Sequence, residues 1–132
     1  MRFVKQINFT GGADMEKIVR QSLLYDFYGE LLTEHQKNIY EDVVMNDMSY
    51  SEIARLTGVS RQGVYDLIKR CDKILEDYED KLKLVDKFMN AKSKAKALQN
   101  TILEIKNTAD KKEFNRLVDK LEKDTESLLD EL

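Results

Sequence analysis

SYSEIARLTGVSRQGVYDLIKR, residues 49–70, decides the fold. Ser49 is a good helix cap, and Glu52 three positions on completes a capping box. Ile53, Ala54 and Leu56 form a short apolar stripe. Gly58 stands where the chain must leave that helix, because glycine accepts the left-handed dihedral such a turn needs. Val59 follows as an apolar plug. Ser60 caps a second helix whose buried face is Val64, Leu67 or Ile68, and Cys71. Small Ala54 permits the close contact of two steeply crossing helices, with Val64 and Leu67 as the opposing knobs. The pattern is that of a helix-turn-helix.

Working outward toward the N-terminus, Asn46-Asp47 signals a turn. Before it, Thr33 and Gln36 form another capping box, predicting a helix over Glu34–Met45 with Ile39, Tyr40, Val43 and Val44 inward. A further helix is predicted from Glu16 to Tyr28, ended by Gly29, with Ile18, Val19, Leu23, Leu24, Phe27 and Tyr28 at helical spacing. Asp14 is available as its cap. Residues 1–14 read as a flexible or extended N-terminal arm, where Phe3, Ile7 and Phe9 partly alternate before Gly11-Gly12.

Beyond Arg70 no stop signal appears. Cys71, Leu75, Tyr78, Leu82, Val85 and Met89 repeat every three or four residues, the mark of a long helix packed on another, within the chain or across a dimer. Asp72, Lys73, Glu79, Asp80, Lys81 and Lys83 suit its exposed faces. A break is expected around Asn90 to Lys94, then a helix over 95–107 with Ala95, Leu98, Ile102 and Ile105 on one side. Asp110 or Thr108 caps a last helix, 111–130, with Phe114, Leu117, Val118, Leu121, Thr125 and Leu128 as its buried stripe. The expectation is an all-α protein: an arm over 1–14, a helix-turn-helix domain over 15–75, and a C-terminal helical extension over 76–132 that offers a dimerisation surface.

Composition agrees with this class. Hydrophobic residues make up 42% of the 132, enough for a core, and 36% are charged. Proline is absent, which favours long unbroken helices. The apolar runs are too short to span a bilayer, and the single cysteine fits a reducing, cytoplasmic setting. Net charge is −3, so nucleic-acid binding has to be judged from its distribution. Residues 49–75 carry +2, from Arg55, Arg61, Lys69, Arg70 and Lys73 against Glu52, Asp66 and Asp72. Residues 91–108 carry +3, whereas 33–48 and 109–132 each carry −3. Phosphate contacts on the motif would be few and salt-sensitive.

Residues 31–75 resemble the promoter −35-reading domain of bacterial sigma factors: L-T at a helix start, S-Y-x-E-I-A, G-V-S-R, and a valine soon after. LLYDFYGELLT at 23–33, SRQGVYDLIKR at 60–70 and ILEDYEDKL at 74–82 resemble more closely the YlxM/p13-like (UPF0122) family of small bacterial helix-turn-helix proteins. The likeness covers about 16–90 by sequence and 91–132 by helical character. One departure is Gly63, where that family usually has alanine. The resemblance implies a sigma region 4-like helix-turn-helix bundle with long C-terminal helices. It further implies nucleic-acid binding, or assistance to the signal recognition particle, whose genes commonly neighbour those of the family.

If residues 60–70 enter a major groove, the outward face is Ser60, Arg61, Gln62, Tyr65, Asp66 and Lys69. Arg61 has the donor fork for guanine and Gln62 the amide for adenine. Ser60 and the free amides at the helix start suit a phosphate. Tyr65 suits stacking or a thymine methyl. Arg55, Lys69, Arg70 and Lys73 are phosphate contacts. Asp66 argues the other way, placing negative charge on that face. No catalytic, cofactor or metal site is expected: His35 stands alone, adjacent Glu41 and Asp42 diverge on a helix, and the glycines form no phosphate loop. Two functions follow. One is a dimeric regulator binding double-stranded DNA, with two reading helices set for half-sites. The other is an accessory protein binding a protein or ribonucleoprotein partner, such as the protein or RNA of the signal recognition particle.

Overall fold

The computed structural model describes residues 13–132, so the expected arm lies almost wholly outside the described residues. Six helices follow in order: α1 Ala13–Tyr28, α2 Glu34–Val44, α3 Tyr50–Thr57, α4 Arg61–Leu82, α5 Leu84–Asn107 and α6 Lys111–Glu131, with a 3-10 turn over Gly29–Leu31. No strand occurs among the described residues, and the fold is all-α with long C-terminal helices. None of these helices is long and apolar enough to cross a membrane. The chain divides after Val85 into two compact units, the second running Asp86–Leu132. Position 75, the expected end of the helix-turn-helix domain, lies inside α4.

The first unit is built around α4. Val64, Ile68, Cys71 and Leu75 are buried along it at helical spacing, together with Leu23, Leu24 and Tyr28 of α1, Ile39, Tyr40 and Val44 of α2, and Ile53 of α3. Local chemistry sets the boundaries. Thr33 Oγ1 accepts from the Gln36 amide while the Gln36 side chain accepts from the Thr33 amide, so the capping box is complete. Ser49 caps α3 through the Glu52 amide, but the Glu52 carboxylate reaches the Ser49 hydroxyl rather than its backbone, leaving half of the expected box. Gly58 ends α3 at φ +77°, a conformation open to glycine at no steric cost.

Three expectations are corrected. Leu56 is 75% exposed, because in a two-turn helix only the Ile53 side faces the core. The break expected at Asn90–Lys94 lies instead at Lys83, which adopts φ +57°; α5 then runs unbroken through 90–94. Glu79 and Asp72 do not sit on solvated faces. Glu79 is 3% exposed, and its Oε1 accepts from the Tyr28 hydroxyl at 2.6 Å and the Val85 amide at 2.9 Å. Tyr28 Oη in turn accepts from the Leu84 amide at 3.1 Å. Two amides at the start of α5, which no turn of its own helix can satisfy, are therefore capped by side chains of α1 and α4. Burial, and the Glu79 carboxylate beside it, raise the Tyr28 phenol. Asp72 accepts from the Tyr40 hydroxyl at 2.7 Å and the Gln21 amide at 3.0 Å. Arg20 forks onto Glu76 at 2.9 and 2.8 Å. Acids at 72, 76 and 79, spaced four and three, thus form a polar seam against α1 and α2.

Cys71 is fully buried, and burial, with Asp72 nearby, pushes its thiol up to about 11. Because the folded value lies above the unfolded one, the neutral thiol's contribution to stability is complete below about pH 9 and is lost as pH rises through about 11. A two-unit rise cuts the thiolate population about a hundredfold at neutral pH. An aromatic disulfide reagent at pH 8 is accordingly expected to react at least about a hundredfold more slowly with the folded chain than with the urea-unfolded one. Equal rates would mean that the thiol is open to solvent.

In the second unit Leu117 and Thr101 are buried, while Phe114 and Val118, expected in the buried stripe of α6, are 43% and 39% exposed. The reason is geometric: a pair of helices covers only one side of each.

Candidate nucleic-acid interface

Positions 58–60 set the interface. Gly58 turns the chain, half-buried Val59 plugs the corner, and Ser60 Oγ accepts from the Gly63 amide at 2.9 Å to start α4. A Cβ at Gly63 would lie 2.9 Å from Val59 Cγ1 and 3.0 Å from Ser60 Oγ. The glycine therefore lets both cap and plug close over the first turn. Its helix-propensity cost, roughly 1 kcal/mol, has a local reason.

Arg61, Gln62, Tyr65, Asp66 and Lys69 are all exposed and lie at three- and four-residue spacing along the side of α4 opposite Val64, Ile68 and Cys71. Gln62 Nε2 donates to Asp66 Oδ1 at 2.9 Å, which fixes the amide and partly offsets the carboxylate. Lys69 Nζ lies 5.5 Å from the centre of the Tyr65 ring. The Tyr65 ring also meets Tyr50 edge-on, with centroids 6.0 Å apart. Tyr50, Arg61, Gln62 and Tyr65 line an open depression of about 340 Å³. Sequence reasoning did not single out Tyr50. Its contact runs between helices, from the first residue of α3 to the second turn of α4, and no periodicity within one helix reports that.

The other expected contacts are less gathered. Arg55 lines a separate shallow depression of about 300 Å³ with Glu52 and exposed Leu56. Arg70 is exposed but turned further round α4. Lys73 lies 3.5 Å from Asp77, an exposed pair. Ser60 is exposed, with its hydroxyl committed to the cap. Among the described residues, Arg55, Arg61 and Arg70 form no ion pair or hydrogen bond through their side chains, whereas Arg20 and Arg116 are tied to Glu76 and Glu113. No group of three His, Cys, Asp or Glu among the described residues is placed to hold a metal ion. His35 is exposed in the first turn of α2.

A family model described as "Putative helix-turn-helix protein, YlxM / p13 like" matches residues 15–125. A UPF0122 protein of Clostridium acetobutylicum is 40% identical over 113 residues, 86% of this chain and 97% of that one. A UPF0122 protein of Thermoanaerobacter pseudethanolicus is 38% identical over 107 residues, 81% of this chain and 92% of the relative. One of Clostridium kluyveri is 48% identical over 84 residues, 64% of this chain and 76% of the relative. The match takes in all of α2 to α5, the helix-turn-helix with its unpaired arginines included, and the chain belongs to the UPF0122, YlxM/p13-like, family.

Proposed function

We propose that the protein binds double-stranded DNA in the cytoplasm, seating the first half of α4 in the major groove. One observation carries this reading: the solvent side of that half-helix presents Arg61, Gln62, Tyr65 and Lys69, and the motif's arginines have no internal partner among the described residues. An unpaired guanidinium is free to fork onto guanine or a phosphate. In this reading Arg61 and Gln62 meet base edges, and Tyr65 with Tyr50 makes an aromatic wall for a thymine methyl. Ser60 and the first amides of α4 meet a phosphate, as do Arg55, Lys69, Arg70 and Lys73. Asp66 holds Gln62 in place and limits affinity.

A labelled-duplex titration across salt tests it. The expected result is binding whose logarithm falls linearly with log salt, with a preference among sequences. Absence of duplex binding at low salt overturns the reading. The second reading, an accessory protein for a protein or ribonucleoprotein such as the signal recognition particle, is favoured by Asp66 on the outward face and by Leu56 at 75% exposure beside Arg55. Retention of a lysate partner after nuclease treatment, without duplex binding, is the result that selects it.

A further inference from the structure

We infer that the α5–α6 hairpin docks on a second copy of this chain, through the face bearing Ile102, Phe114, Val118 and Leu129. The stripe that suggested a dimer seam from sequence, Cys71, Leu75 and Val85, is buried within one chain. Any seam between copies has to lie elsewhere. Residues 86–132 supply one: only Thr101 and Leu117 are buried there, so two helices of 24 and 21 residues share almost no enclosed core.

The geometry places the uncovered apolar residues together. Lys94 Nζ donates to Ser127 Oγ at 2.9 Å and pairs with Glu131 at 2.8 Å, so α5 and α6 run antiparallel from their short connection. Their meeting sides are therefore those of Lys94 and Thr101 on α5, and of Leu117 on α6. At 3.6 residues per turn, Ile102 lies about 70° round α5 from its meeting side, and Phe114 and Val118 lie about 70–110° round α6 in the same sense. Two antiparallel helices turned in the same sense bring those residues to one side of the hairpin. Ile102, Phe114, Val118 and Leu129 are 42%, 43%, 39% and 64% exposed. Half-buried Leu98 and Leu121 line the floor between them. An apolar face of this kind with a charged rim is a docking surface.

Charge and area select the occupant. Residues 91–108 carry +3, from four lysines against Glu104, and residues 109–132 carry −3. A two-fold axis that lays α5 on the partner's α6 brings opposite charge together twice, giving a self-complementary four-helix arrangement. A face about 30 Å long and two helices wide gives roughly 600 Å² per copy, about 1,200 Å² in all, at the lower edge of stable interfaces.

Sedimentation equilibrium of the full chain without nucleic acid, from low micromolar to submillimolar, tests this independently of DNA binding. The mass is expected to rise from 15.5 kDa toward twice that value. Phe114→Lys with Val118→Lys sets positive charge against the partner's basic α5 and is expected to raise the dimer dissociation constant at least a hundredfold, with helicity unchanged by circular dichroism. Leu103→Lys, on the side of α5 away from α6, is expected to leave dimerisation intact. Should the double variant lose helicity, Ile102→Lys reads the same surface. A wild-type chain that stays monomeric throughout overturns the inference, and such a monomer with this face covered by a different protein does so equally. A dimer indifferent to these substitutions also overturns it.

Discussion

Glu79→Ala is expected to lower the stability of the chain by about 3 kcal/mol, the sum of two buried donors left unpaired and a cavity, less the relief of one buried charge. The donors are the Tyr28 hydroxyl, 2.6 Å from Glu79 Oε1, and the Val85 amide at 2.9 Å. Urea unfolding followed by far-UV circular dichroism measures the loss as a lower midpoint. Glu79→Gln keeps the volume and one acceptor oxygen and is expected to cost about half as much. Tyr28→Phe removes the hydroxyl that both feeds Glu79 and receives the Leu84 amide, at about 1–2 kcal/mol. The double variant Glu79→Ala, Tyr28→Phe separates a network from simple packing. If the two groups satisfy each other, removing both costs less than the sum of the single losses, by about 1 kcal/mol. Strict additivity, or a single loss within about 0.5 kcal/mol of wild type, means that these groups do not hold the start of α5.

The same junction shows where sequence reading reaches and where it stops. Ser49, Gly58 and Ser60 are legible because a cap or a left-handed turn acts within three or four residues of itself, and each is found in that role. Val64, Ile68 and Cys71 are legible because burial follows the 3.6-residue period. The cap on α5 is not, since Tyr28 stands 56 residues before the Leu84 amide it receives. Nor is the stop at Lys83, since lysine in the left-handed region carries no sequence signal and the apolar repeat runs straight through it. Asp72 and Glu79 look like solvated polar positions on a heptad, and only the facing Tyr40, Gln21 and Tyr28 make them interior. At the interface the outward side of α4 follows from the same period that gives its core. Tyr50 does not, because it enters from another helix. The partial exposure of Phe114 and Val118 has a similar origin: periodicity says which side of α6 is apolar, not whether one neighbouring helix is wide enough to cover it.

Replacing Arg55, Arg61 and Arg70 together by alanine is expected to weaken duplex binding about a hundredfold or more at moderate salt and to reduce the salt slope by nearly 3, close to one per lost phosphate contact. All three are exposed and have no internal partner among the described residues, so the substitutions remove charge without opening a core, and the unfolding midpoint is expected to stay within about 0.5 kcal/mol of wild type. The single variants divide the roles. Arg55→Ala and Arg70→Ala, as phosphate contacts, are expected to weaken all duplexes alike. Arg61→Ala removes a fork from the first turn of α4 and is expected to flatten the preference among sequences at one position, by about 1–3 kcal/mol. Asp66→Asn is expected to tighten binding several-fold by removing negative charge from the reading face, while an amide at 66 still accepts from Gln62. Tyr50→Ala extends the test across the turn: with the edge-on wall of Tyr65 gone, the loss should fall on the preferred sequence and leave the salt slope unchanged, because an aromatic face releases no counterions. If the triple variant binds duplex as the wild type does, with the same salt slope, the positive groups of the motif are not facing phosphate, and α3 and α4 present their outward side to a protein instead.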